Sequence, residues 1–298
     1  MLPAARVSDF HMCPMVTPGL PPIPHVGGPV LPPGAPTVLI GGPFAARMSD
    51  MATCVGPPDS IIMGSVNVHT MGLMQARQTS SCAHGGMVMI GLPTVLVGGP
   101  TVTLAGTADA NDANLVAYEF CKFPLHMQQA LDAGGGKIVV CRGSITEHRT
   151  DLAGVHPRGW PAGSTWDSVP GVFSSDRNEL VIATTGHGTP AGAHVPATGE
   201  GHGSSNLVLH EGAHGIDHNG PAGVNSGSSG FNAARTADAP TLSAYENQPG
   251  AAGQEESFAE SAARYYGGDP NDAANHPNLN NYWAGDPYAP PPPPPPGP

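Results

Sequence analysis

Charge is scarce in this 298-residue chain: Asp, Glu, Lys and Arg together make up only 11% of it. A disordered polymer held open by self-repulsion needs far more, so that class is excluded. Basic residues are scarcer still, 11 against 23 acidic ones, for a net charge of −12. Up to position 100 the charges balance, with Arg6, Arg47 and Arg77 against Asp9, Asp50 and Asp59. The acidic excess falls in the remainder, which argues against nucleic-acid binding, because neutralising phosphates takes clustered Lys and Arg. No window holds 18 uninterrupted apolar residues, so neither a transmembrane helix nor stable membrane insertion is expected. The opening MLPAARVSDF lacks a basic segment followed by an apolar one, so no secretory leader is read there. Any export is then expected to follow a route that ignores signal peptides. Cys13, Cys54, Cys82, Cys121 and Cys141 are odd in number and widely spread, unlike a disulfide framework.

What the chain has in abundance is Gly (41) and Pro (35), together about a quarter of it, against a background of roughly 12%. Because these residues punctuate regular apolar runs, they read as turns between short strands. The first hundred residues also repeat. GAPTVLIGG at 34–42 returns as GLPTVLVGG at 91–99, with a degraded copy, GSVNVHTMG, at 64–72. Each copy is a short β-branched strand closed by Gly at both ends, as in a hairpin arm. Beside the arms recur Pro3-Ala4-Ala5-Arg6, Phe44-Ala45-Ala46-Arg47 and Met74-Gln75-Ala76-Arg77. Three similar units at this spacing predict a quasi-threefold set of stacked or radial β arms.

Four candidate ligands in this half stand next to turns: His11, His25, Cys54 and His84. Three imidazoles and a thiolate make a closed tetrahedral set suited to structural zinc, and Cys13 and Cys82 compete with Cys54 for the thiolate. A unit so poor in large apolar residues gains from such a staple. His69, inside a strand repeat, reads as an ordinary side chain.

The Pro-Ala-Ala-Arg tetrapeptide, His11-Met-Cys-Pro14, the PTVLIGG strand and Ala83-His84-Gly-Gly86 resemble the PAAR-repeat family over residues 1–105. That resemblance implies a small all-β cone with a metal near its apex. It also implies a cone that caps the trimeric VgrG spike of a type VI secretion system, or of a phage-like particle. A C-terminal extension of such a cone is expected to be an effector, assembled in the cytoplasm and carried into a target cell. An immunity protein is an expected partner if the targets are bacteria.

Residues 106–125 read as a transition. Beyond them, 137–141 and 180–183 read as strands, 207–217 as a helix capped by Ser205 or Asn206, and 255–266 as a helix ended by Gly267-Gly268. The first helix carries His210-Glu211-Gly212-Ala213-His214. Imidazoles at i and i+4 project from one helix face and can reach one metal, with Glu211 between them as general base on a water. Gly212 and Gly215 weaken that helix. A glutamate from the second helix would supply a third ligand and leave the fourth position open.

HExxH followed by Glu256-Ser257-Phe258-Ala259-Glu260 is similar to the anthrax lethal factor-like gluzincin metallopeptidases, a likeness spanning about residues 150–270. It implies Glu256 as third zinc ligand and Glu260 as the carboxylate orienting a ligand histidine. It also implies a tyrosine that stabilises the oxyanion, with Tyr245 as the candidate and Tyr118, Tyr265 and Tyr266 as alternatives. The stretches 160–166 and 169–173 then lead into an edge strand near 180–183 that would pair with a peptide substrate. His187, His194 and His202 fall in a Gly-rich loop expected to rim the site.

The expected architecture is multidomain: an all-β cone (1–105), a transition (106–125), an α+β zincin-like peptidase (126–285) and a disordered Pro-rich tail (286–298). The expected function is delivery of a zinc endopeptidase toxin acting on a protein substrate, with two zinc ions per chain, one catalytic and one structural. The alternatives are an inert C-terminal domain, or hydrolysis of another amide such as peptidoglycan.

Overall fold

The computed structural model describes residues 2–65, 68–98, 100–157, 163–221 and 225–289. The described residues form two compact units, one of those up to 102 with 109–121 and one of 103–108 with those from 122 on. Among the described residues, no helix is long and apolar enough to cross a membrane.

The first unit is built from many short strands. Its repeats become three antiparallel arms: Ala35–Leu39 with Phe44–Ala45, His69–Thr70 with Leu73–Met74, and Leu92–Val97 with Leu2–Ala4. Where the arms meet, the Ala-Arg repeats close a ring of backbone hydrogen bonds. Ala5 N–H donates to Ala76 O (2.9 Å), Ala46 N–H to Ala5 O (3.0 Å) and Ala76 N–H to Ala46 O (2.9 Å). All three alanines are fully buried. The third repeat has Gln75 where the others have alanine, and its side-chain amide donates to the carbonyls of Ala5, Ala46 and Ala76 at 3.1, 2.9 and 2.9 Å. Each repeat then turns through a positive-φ residue, Ser8, Ser49 or Thr79. Asp9 and Asp50 bind the arginine before their turns. In the third repeat Ser80 accepts from Arg77 N–H instead, and the Arg77 guanidinium reaches the carbonyls of Gly98 and Pro100.

Helix α1 (Ala110–Phe120) occupies part of the stretch read as a transition. Asp109 and Asp112 start it with a capping box, and Ala113, Val116, Ala117 and Phe120 form its buried side.

The second unit holds a four-stranded sheet in the order Val102–Leu104, Lys137–Arg142, Glu179–Thr184, Gly171–Ser174. Lys137–Arg142 and Glu179–Thr184 run parallel, and Gly171–Ser174 runs antiparallel to Glu179–Thr184. The edge strand is therefore Gly171–Ser174, and the expectation near 180–183 is corrected. Leu180, Val181, Ile182 and Ala183 are all buried, the unbroken apolar run of a strand covered on both faces. Helices α2 (Leu125–Ala133), α3 (Leu207–Asn219), α4 (Ser229–Asp238), α5 (Gly250–Gly267), α6 (Asp272–Asn275) and α7 (Pro277–Ala284) complete the unit. Phe231, Phe258 and Trp283 pack edge-to-face from α4, α5 and α7, with centroids 5.1 and 5.0 Å apart. Tyr288 is buried, so residues just beyond 285 still belong to the folded unit. The proline run of the expected tail, 290–298, and Trp160 lie outside the described residues.

Candidate metal centres

Helix α3 starts at Asn206, whose side chain accepts from Leu209 N–H at 3.0 Å. His210 and His214 follow one turn apart on its face, ring centroids 4.9 Å from each other. Helix α5 packs against α3 and brings Glu256 to them, its Oε2 lying 3.3 Å from His210 Nε2 and 3.5 Å from His214 Nε2. One ligand atom from each of the three lies within 4.8 Å of the others. Glu256 Oε2 is buried with no hydrogen-bond donor of its own. Three donors converging on one point around such an oxygen fit a divalent cation, and two imidazoles with one carboxylate suit zinc with an open fourth position.

The surrounding residues fix these donors. Glu260, one turn along α5, accepts from His210 Nδ1 at 3.1 Å and from Ser205 N–H at 3.0 Å, orienting the ring. Burial alone would lower the pKa of His210, but the adjacent Glu256 carboxylate and the hydrogen bond to Glu260 carry it up to about 10 in the metal-free protein. Burial would raise Glu256, yet the two histidines hold it well below the usual carboxylate range. Glu211 Oε2 accepts from the backbone N–H of Phe173 on the edge strand at 2.8 Å. Gly171 permits that approach: a Cβ there would come within 2.8 Å of Leu207 and 3.2 Å of Glu211. Gly215, costly to the helix, lets Leu131 come within 2.9 Å of where its Cβ would stand.

Tyr245 is half-exposed, and partial burial together with the nearby Glu256 charge pushes its pKa up. Trp166, Phe173, His218 and Tyr245 line a cleft of about 800 Å³ around the three donors. A second lobe of about 570 Å³, lined by His202, Leu207 and Arg264, meets it at His210 and Glu211. His202 thus reaches the rim, whereas His187 and His194 bond locally to Thr184 and Glu200.

The other unit gathers a second donor set, Cys13, His25, Cys54 and His84, again within 4.8 Å of one another. Cys13 Sγ lies 3.6 Å from His84 Nδ1, and Cys54 Sγ lies 3.3 Å from His25 Nδ1. Thr17 Oγ1 meets His25 Nε2 at 2.6 Å, which leaves Nδ1 to face the cluster. His11, read from the sequence as a ligand, is not in this set. It is fully buried two residues earlier, inside the strand Phe10–Met12, with Nδ1 against Gly28 O (2.9 Å) and Nε2 3.3 Å from Asp59 Oδ2. Cys13 takes its place beside Cys54, while Cys82 is buried among Ile61, Val88 and the ring alanines. Two thiols and two imidazoles fit a closed tetrahedral zinc site. Burial pushes the Cys54 thiol up to about 11, with the neighbouring Cys13 adding to the shift.

Comparison with known proteins finds a separate match in each part of the chain, the second taking in helix α1. Residues 20–90 match the PAAR motif, and residues 105–274 match the family described as anthrax toxin lethal factor, N- and C-terminal domain. The chain is thus a PAAR unit joined to a zincin-like peptidase unit. As the second match spans more than half of the sequence, the chain belongs to the anthrax toxin lethal factor family. It is 34% identical over 116 residues to Pro-Pro endopeptidases of Clostridioides difficile (strain 630) and Paenibacillus alvei. Those stretches cover 38% of this chain and 47% and 48% of the relatives, so the chain spans about half the length of the curated relatives it matches. The solved structure of the Paenibacillus alvei Pro-Pro endopeptidase is similar at a TM-score of 0.50 and 28% identity, covering 62% of this chain and 96% of that one.

Proposed function

We propose that this chain is a spike-tip protein carrying a zinc-dependent endopeptidase as its cargo. The observation that carries the reading is the convergence of His210, His214 and Glu256 beside Glu211, which the free sheet edge holds through Phe173 N–H. When bound there, zinc supplies a Lewis acid for the scissile carbonyl and a water of lowered pKa. Glu211 takes a proton from the attacking water and returns it to the leaving amine. Tyr245, kept protonated by its raised pKa, donates to the developing oxyanion. Glu260 holds His210 through Nδ1, leaving Nε2 as the atom that would bind a metal.

An extended peptide would add to the Gly171–Ser174 edge, placing its scissile bond over the junction of the two lobes. The relatives are named for Pro-Pro bonds, and the aromatic faces of Trp166, Phe173 and Tyr245 suit proline rings, so we place proline beside the cleaved bond. The PAAR unit would bind zinc through Cys13, His25, Cys54 and His84 and cap a VgrG trimer. The cargo would then travel from the cytoplasm into a target cell, with an immunity protein guarding the producer if bacteria are the targets.

The test is zinc content and cleavage of a peptide library containing Pro-Pro bonds, for wild type and Glu211→Ala. About two zinc ions per chain are expected for both proteins, with cleavage by wild type alone. One zinc and no cleavage by wild type would sink the peptidase.

A further inference from the structure

The turn that presents Tyr245 is held mostly by groups outside the two helical motifs. Glu246, the next residue, is only 3% exposed. Its Oε2 accepts from the Ser243 N–H at 3.1 Å and the Ser243 hydroxyl at 2.8 Å, while Glu246 N–H donates back to that hydroxyl at 3.2 Å. Its Oε1 accepts from Arg264 Nη2 at 2.8 Å. The Glu246 carbonyl accepts from Arg235 Nη2 at 2.6 Å and from Ser257 Oγ at 2.7 Å. Glu246 is therefore pinned by its side chain to α5 and by its backbone to α4 and α5.

Arg264 has further partners. Its Nε donates to Asp272 Oδ1 at 3.0 Å, and its Nη1 lies 3.9 Å from Glu260 Oε1. Glu260 is the carboxylate that orients His210, and Glu246 adjoins Tyr245. One buried, planar guanidinium thus faces both, and an ammonium could not serve these directions with the same fork.

We propose that Arg264 is a positioning residue that ties the Tyr245 turn to the Glu260–His210 pair, so that the oxyanion donor and a metal ligand are set by one side chain. This rests on the peptidase reading above. It predicts that Arg264→Lys stays folded but loses about tenfold or more in kcat with KM changed less than about threefold, because the lost interaction acts in the transition state. Zinc affinity at the His210 site should fall about tenfold or more as Glu260 loses its neighbour. Because Arg264 acts through Tyr245, the kcat losses of Arg264→Lys and Tyr245→Phe should not multiply in the double variant.

The experiment measures kcat, KM, thermal unfolding and chelator-competed zinc affinity for wild type, Arg264→Lys, Tyr245→Phe and the double variant, all in a Cys13→Ser/Cys54→Ser background that silences the other donor set. A folded Arg264→Lys with wild-type kcat and zinc affinity, or kcat losses that multiply in full, overturns the proposal. If Arg264→Lys does not fold, Ser243→Ala replaces it: lower kcat with unchanged zinc affinity supports the clamp, and unchanged kcat overturns it. Should wild type cleave nothing, the peptidase reading fails separately, and the zinc affinity of Arg264→Lys still decides the link to Glu260.

Discussion

Zinc affinity at the His210–His214–Glu256 site should climb with pH, and keep climbing above the range in which an ordinary histidine titrates. The cause is the proton that Glu256 and Glu260 hold on His210, whose pKa reaches about 10 without metal. Metal takes Nε2 only after that proton leaves, which at pH 7 costs about 4 kcal/mol, on the order of a thousandfold in affinity. Between pH 7.5 and 9 the affinity should therefore rise about tenfold per unit. Chelator competition in the Cys13→Ser/Cys54→Ser variant reads this without interference from the thiols. Calorimetry in two buffers of different ionisation enthalpy should find about one proton released per zinc at pH 8. A flat affinity above pH 7.5, with no proton release, would refute the reasoning. The same charges set the stability of the metal-free protein. His210 has its pKa raised on folding, so its contribution is complete below about pH 6.5 and is lost as pH rises through about 10. For Glu260, burial works upward but hydrogen bonding to His210 prevails and brings it to about 2. That contribution is complete above about pH 4.3 and lost as pH falls through about 2. The pair should stabilise most between those two limits, as a series of thermal melts would show.

Three further outcomes are expected. Tyr245→Phe should retain zinc and KM while kcat falls about a hundredfold, as loss of one oxyanion donor does; unchanged kcat would remove Tyr245 from the reaction. Cys13→Ser should abolish zinc at the PAAR unit whereas His11→Asn should retain it, measured as zinc per chain in a His214→Ala background. Gln75→Ala removes a buried amide that donates to three carbonyls. It should destabilise the PAAR unit by about 1–3 kcal/mol in denaturant unfolding, since each carbonyl keeps its ring hydrogen bond.

The helical motifs were legible because their chemistry is local: i and i+4 on α3, and Glu256 with Glu260 on α5, are fixed by helix geometry. The repeats likewise announced three arms, since each carries its own turn signals. Cys13 was harder to see. It stands two residues after His11, and His11 turns to Gly28 and Asp59 while Cys13 meets His84. The edge strand was misplaced because β-branched content marks a covered strand, while Gly171–Ser174 owes its place to the helix behind it. Tyr245 sits outside both helical motifs, and its link to α5 runs through Ser243 and Glu246. Their S-x-x-E spacing was a readable sign of a reciprocal cap, though not of Arg264, eighteen residues on.

The alanine ring has one more consequence, concerning stoichiometry. A single chain imitates threefold symmetry by closing Ala5, Ala46 and Ala76 on each other, yet Gln75 and Ser80 make its three sides unequal. A partner with true threefold symmetry would meet one such pseudo-symmetric end per three subunits. It could accept that end in three rotations, a degeneracy worth about 0.6 kcal/mol when they are equivalent. Each such assembly would then hold one zincin-like unit, which could reach many substrate molecules only by turnover.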